Sequence, residues 1–179
     1  MSTPKARTIV ALLAALLVVA VAYFAVIAYV ARDVEAPDPQ ITAYAHGKSV
    51  TVDPFMYCTV HVENNMLDLR DCEESQFVAA LDVPPGYPLQ LSLPKQISDA
   101  PWQMVMVYAL PDGTAVKQVA THRDYPENAR AITVQTPPDP RLQLAVVEIQ
   151  LPVPARDADG NEGYIPHAVW SIQSIQKDS

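Results

Sequence analysis

Glycine is scarce, with five in 179 residues. The chain has no phosphate-cradling glycine loop, no G-x-S-x-G nucleophile elbow and no H-E-x-x-H zinc helix. Cysteine is scarcer still: Cys58 and Cys72 are the whole supply. They do not form a C-x-x-C pair, so thioredoxin-type redox chemistry lacks its motif. Positive charge is also short. Beyond residue 31, ten Lys and Arg face twenty Asp and Glu, a net charge of −10. An acidic exterior of this kind argues against nucleic acid and against docking on anionic lipid. No internal repeat, low-complexity tract or long helical periodicity follows the first 31 residues, which excludes solenoids and helical bundles for the main part of the chain.

One feature is present in excess. Residues 8–31, TIVALLAALLVVAVAYFAVIAYVA, carry no charge, proline or glycine. Twenty-four residues make about 36 Å of helix at ~1.5 Å per residue, and a bilayer core needs about 20 apolar residues. Tyr29 sits near the outer end, where aromatic rings favour the interface. Lys5 and Arg7 precede the segment and Asp33, Glu35 and Asp38 follow it. The positive-inside rule then places residues 1–7 in the cytoplasm and the remainder outside the plasma membrane. A cleaved signal peptide is the rival reading. It calls for an apolar core of about 7–15 residues and a small-residue cleavage site. The segment is longer, and Val26–Ala28 is a poor site, so an uncleaved anchor is expected.

Residues 32–39 contain Pro37 and Pro39, which block helix continuation and mark a short tether. From residue 40 to residue 179, short alternating runs are separated by Pro, Gly and Asp. This is the pattern of an all-β sandwich of about seven to nine strands. Residues 41–52 predict a hairpin turning at His46-Gly47. Residues 87–94 alternate, with Leu89, Leu91 and Leu93 inward. Residues 101–110 are apolar on both faces, and Asp112-Gly113 turns the chain into 115–121. Residues 131–136 alternate again. Residues 141–153 change phase, which predicts a β-bulge near Ala145–Val146. A loop at 157–163 leads to a last strand at 164–175. One helical turn is expected near Glu73–Ala80. The 17 prolines suit edges and turns.

The stretch YCTVHVENNMLDLRDCEE, 57–74, holds both cysteines with His61 between them. Outside the membrane, thiols tend to be oxidised. A Cys58–Cys72 disulfide closing a polar 15-residue loop, with a turn at Asn64-Asn65, is the simplest account. It is worth about 3 kcal/mol in the chain-entropy model. A metal site on Cys58, His61 and Cys72 wants a fourth ligand, and the spacing fits no common zinc pattern. Met104 and Met106, with Trp102 and Tyr108, form an inward stripe, and Met packs readily there. With Met56, Met66 and a histidine they are also the chain's Cu(I) candidates. Asp157, Asp159, Asn161 and Glu162 cluster in one loop as Ca²⁺ candidates, but the spacing departs from an EF-hand and suits a solvated hairpin. His46, His61, His122 and His167 are scattered, and none has a triad partner in view.

The order of an anchor, ITAYAHGKSVTVDPFMYC, a second cysteine, VPPGYPLQLSLPKQISDAPWQMVMVY and a closing AVWSI resembles an actinobacterial family of membrane-anchored envelope proteins known as a domain of unknown function. Leu89–Trp102 is the most specific part. The resemblance implies a mycolic-acid-type cell envelope and an Ig-like sandwich, and it carries over no catalytic residue. The core is expected to rest on Leu89, Leu91, Trp102, Met104, Met106 and Trp170. Gln103, Val105 and Val107, on the second face of 101–110, are the candidate partner-binding residues. The functional expectation is a non-catalytic accessory subunit of a membrane complex, respiratory or transport, or an envelope assembly factor, with a protein partner and no cofactor. The alternatives are a metal or small-ligand binding module and an envelope hydrolase or transferase.

Overall fold

The computed structural model describes residues 4–32, 37–63, 66–156 and 161–174. The chain divides into two compact units, Met1–Pro37 and Asp38–Ser179. The first is one helix, α1 (Pro4–Ala31). Within it Thr8–Ala31 has a mean hydropathy of 2.9 and no buried share, which is long and apolar enough to cross a membrane.

The second unit is a sandwich of two sheets. The smaller sheet runs in the order β2 (Lys48–Val52), β1 (Ile41–Ala45), β6 (Leu89–Ser92), β9 (Ala131–Val134). The larger runs β4 (Met66–Glu74), β3 (Met56–Glu63), β11 (Glu162–Ser174), β10 (Gln143–Arg156), β7 (Gln103–Ala109), β8 (Ala115–Thr121). A short strand, β5 (Ala79–Leu81), pairs in parallel with the C-terminal part of β11. The result is the β-sandwich that the alternation implied. The narrower immunoglobulin-like label rests on resemblance and not on this strand order.

Period-two alternation decides which side chains meet between the sheets. Ile41, Ala43, Leu89, Leu91, Ile132 and Val134 come from the smaller sheet, and Met104, Met106, Val147, Ile149, Trp170 and Ile172 from the larger. Trp102 lies 2% exposed with its ring 5.4 Å from that of Tyr125. Trp170 is fully buried and donates its indole N–H to the Pro39 carbonyl at 2.7 Å, which fixes where the chain enters β1.

Turn chemistry follows the sequence closely. His46 and Gly47 both take positive φ, 45° and 76°, as a two-residue hairpin turn requires. The register of β10 against β7 shifts between Leu144 and Val146, at the expected bulge.

Two expectations fail. The stretch 57–74 is not a polar loop: residues 57–63 and 66–74 pair as the long antiparallel strands β3 and β4, and the turn expected at Asn64-Asn65 lies outside the described residues. The helical turn expected near Glu73–Ala80 is absent, since 73–74 complete β4 and 79–81 form β5. A helical turn forms instead at α2 (Lys95–Ser98), where the Pro94 carbonyl accepts from the Ile97 and Ser98 amides. Pro94 has φ −66° in the extended region, an ordinary entry to a helical turn.

Candidate functional site

The outer face of the larger sheet carries the candidate partner-binding residues. Gln103, Val105 and Val107 do lie there, on β7, with Val105 opposite Glu148 of β10 and Val119 of β8. Around Val105 the face is covered by the chain's own side chains, while Val119 beside it on the β8 edge is 51% exposed. Gln103 Nε2 donates to Gln150 Oε1 at 2.8 Å, and Gln150 Nε2 donates to Glu148 Oε2 at 2.7 Å. This ladder of long polar groups leaves Val105 only 5% exposed. Val105 therefore offers little side-chain surface to a partner, and the Gln103 amide is already engaged. The outer face is thus covered from within the chain at Val105 and opens to solvent at Val119 on the edge strand.

Further exposed apolar groups stand on two ribbons. β10 loses its β7 partner after Gln150, and β11 loses β3 before Ala168. Residues 152–156 and 162–166 pair only with each other, as a two-stranded arm. Pro154 faces Tyr164 and Val153 faces Ile165. Tyr164 is 76% exposed and Ile165 44%.

The second ribbon is the distal part of β3–β4. Val60 pairs with Leu69 and Val62 with Leu67 on one face, while Thr59 pairs with Arg70 and His61 with Asp68 on the other. Cross-strand apolar pairs of this kind hold a hairpin together without a core beneath it. Val62 is 69% exposed and Leu67 39%. The Cys58–Cys72 disulfide joins the strands at the base of this ribbon, with Cα atoms 4.0 Å apart. It lies where the register shifts between Tyr57 and Thr59 and Asp71 takes a φ of 50°. Cys58 is buried, and its carbonyl oxygen lies 3.3 Å from His167 Nδ1.

Both ribbons point the same way. β3 runs antiparallel to β11 with Tyr57 beside Ala168, so it heads toward the end where β11 begins. β4 also approaches β10. The signal for this arrangement was present in the sequence: Val60 and Val62 alternate, as do Leu67 and Leu69. It was masked by the polar residues between them and by the prolines at 152, 154 and 166.

Polar chemistry is dispersed and locally satisfied. A cleft of about 250 Å³ is lined by Trp102, His122, Asp99, Glu127 and Asn128 among others. His122 Nδ1 lies 3.3 Å from the Trp102 carbonyl oxygen. The Asp99 carboxyl is lowered by its hydrogen bond from Lys95, at 2.8 Å. The Asp124 carboxyl is lowered by bonds from the Thr121 amide and hydroxyl. Asp112 is lowered by Thr114, and Asp139 falls to about 2 beside Arg141. Each of these shifts stabilises a carboxylate within its own turn, which is the opposite of what a general acid needs. Burial raises Tyr108 and Tyr125.

Among the described residues, no three His, Cys, Asp or Glu side chains converge as metal ligands. Met104 and Met106 are core residues, at 0% and 4% exposure. Asp157 and Asp159 lie outside the described residues. Asn161 and Glu162 are exposed at the start of the arm's second strand.

The family described as "Protein of unknown function (DUF2771)" matches residues 34–175. Uncharacterized proteins of Mycobacterium bovis and Mycobacterium tuberculosis are 36% identical over 137 residues, covering 76% of this chain and 78% of each relative. No solved structure matches the chain.

Proposed function

The chain belongs to the DUF2771 family, and from that premise we propose that it is a single-pass membrane protein whose sandwich works by binding. In this reading α1 stays in the plasma membrane as an uncleaved anchor, residues 1–7 are cytoplasmic, and the sandwich stands in the envelope outside. Its task is non-catalytic: an accessory subunit of a membrane complex or an envelope assembly factor.

One observation carries the reading. The carboxylates of Asp99, Asp112, Asp124 and Asp139 are tied into their own turns, while large apolar side chains stand exposed on two ribbons. Exposed apolar groups on a paired, ordered framework favour contact with another surface. The disulfide at the base of one ribbon fits an oxidising compartment.

The test is purification of the full chain, tagged at its C-terminus, from native membranes in mild detergent with chemical crosslinking. A stoichiometric partner is expected. Reproducible recovery without one would sink the reading for stable complexes. Protease protection in intact cells tests the topology, since the sandwich should be cleaved from outside only.

A further inference from the structure

The two ribbons share an end of the sandwich, and the β3–β4 ribbon is acidic. Residues 56–74 hold five acidic residues and one basic, a net −4 of the −10 beyond residue 31, although they supply 19 of those 148 residues. Asp71, Glu73 and Glu74 are all exposed along β4. The one arginine of that ribbon, Arg70, is paired with Asp68 at 2.6 Å. The same end carries Val62, Leu67, Tyr164 and Ile165, all exposed.

We propose that this two-ribbon end is a docking surface for a basic protein, one that presents an apolar centre flanked by lysine and arginine. The proposal rests on the partner-binding reading above and names its surface and the partner's chemistry. Charge decides the occupant. Apolar side chains alone would suit a bilayer, a second copy or another protein. A bilayer with anionic headgroups repels a carboxylate rim, and a second copy would set its own acidic β3–β4 ribbon against this one. A partner with a cationic rim gains at the carboxylates and at the apolar centre together. Rim charges chiefly speed and select the encounter, while the buried apolar anchors set the lifetime of the complex.

The test uses the full chain in native membranes. A photo-crosslinking residue replaces Leu67, Tyr164 or, for comparison, Val116 on the β8 edge. A zero-length carbodiimide, which joins carboxylates to lysine amines in direct contact, is applied in parallel. Positions 67 and 164 are expected to capture one and the same protein, through segments with Lys or Arg beside apolar residues. Position 116 is expected to capture it weakly. The carbodiimide should link Asp71 or Glu73 to lysines of that protein. The pair V62S/I165S is expected to reduce the crosslinked yield by about tenfold. Both side chains lie outside the core between the sheets, so the sandwich should keep its melting temperature to within about 3 °C, and unchanged hydrogen exchange along β3 and β4 separates lost docking from a lost hairpin.

Capture of a partner from position 116 but not from 67 or 164 overturns the surface and leaves partner binding standing. Capture of lipid, or of a second copy, at 67 and 164 overturns the basic-protein assignment. Absence of any captured protein from all positions, together with partner-free purification, removes the underlying reading as well.

Discussion

Trp170→Phe is the most informative single change. Trp170 is fully buried, and its indole N–H donates to the Pro39 carbonyl across a separation of 131 residues. Phenylalanine keeps an aromatic ring in the core but has no donor. The loss has two parts. Trimming the ring costs about 1 kcal/mol in packing, at the low end for large-to-small changes in a core. Removing the bond costs about 1 kcal/mol more, since Pro39 is only partly buried and its carbonyl regains water. The same exchange at Trp102 trims a ring of equal size, packed on Tyr125, and isolates the packing part. Trp170→Phe should therefore cost about 2 kcal/mol and Trp102→Phe about 1 kcal/mol. For a domain of this size, 1 kcal/mol moves the melting temperature by about 3 °C. Calorimetry on the full chain in mild detergent should show the two variants about 3 °C apart. Limited proteolysis should also cut faster around residues 37–41 in Trp170→Phe alone. Equal melting temperatures and equal cleavage would show that the bond to Pro39 contributes nothing, and would refute the claim that it fixes the entry to β1.

Other outcomes follow from the same geometry. Trp102→Ala should cost about 3–5 kcal/mol, read by the same calorimetry. Reduction of Cys58–Cys72 should lower stability by about 3 kcal/mol, measured with and without dithiothreitol. Gln150→Ala removes both rungs of the outer ladder and should cost about 1–2 kcal/mol, with increased hydrogen exchange at Val105. Burial raises the Tyr108 and Tyr125 hydroxyls above 10.0, so folding favours their neutral forms. The stability they provide is complete below pH 10 and falls as pH climbs through their folded values; Tyr108→Phe should blunt that alkaline loss in a pH-melting series. The Asp139 carboxyl goes the other way, from 3.8 to about 2. Its contribution is present above pH 3.8 and lost toward pH 2, so Asp139→Asn should flatten that part of the acid limb.

The sandwich was legible because its signals are local and periodic. Leu89, Leu91 and Leu93 alternate with polar residues, and all three are buried. His46-Gly47 demanded a tight turn, and the phase change at Ala145–Val146 demanded a bulge. Residues 101–110 are apolar on both faces, and β7 within them turns Met104 and Met106 to the core and Val105 and Val107 to the outer face. What covers its outer face was not legible, because Gln103, Gln150 and Glu148 are far apart in sequence and meet only through the register of β7 with β10. The ribbon at 57–74 was missed for a different reason. Its strands pair chiefly with each other and carry charges on one face, so their composition reads as loop. Pro152, Pro154 and Pro166 hid the second ribbon, since proline is compatible with strands only where the ladder has a free side.

The position of β11 in the sheet has a consequence for how the domain can be made. β11 comes latest in the chain of the described strands, yet it lies between β3 and β10 and also receives β5. Until it arrives, β3, β5 and β10 each lack a neighbour, and the Trp170 bond to Pro39 cannot form. Assembly of the larger sheet must therefore wait for chain synthesis to pass residue 162, and it closes contacts over more than a hundred residues. Such long-range pairing is slow and leaves strand edges open in the meantime. The β3–β4 hairpin escapes this delay. Its strands are neighbours in sequence, and the disulfide across it can be sealed while the rest of the sheet is still waiting.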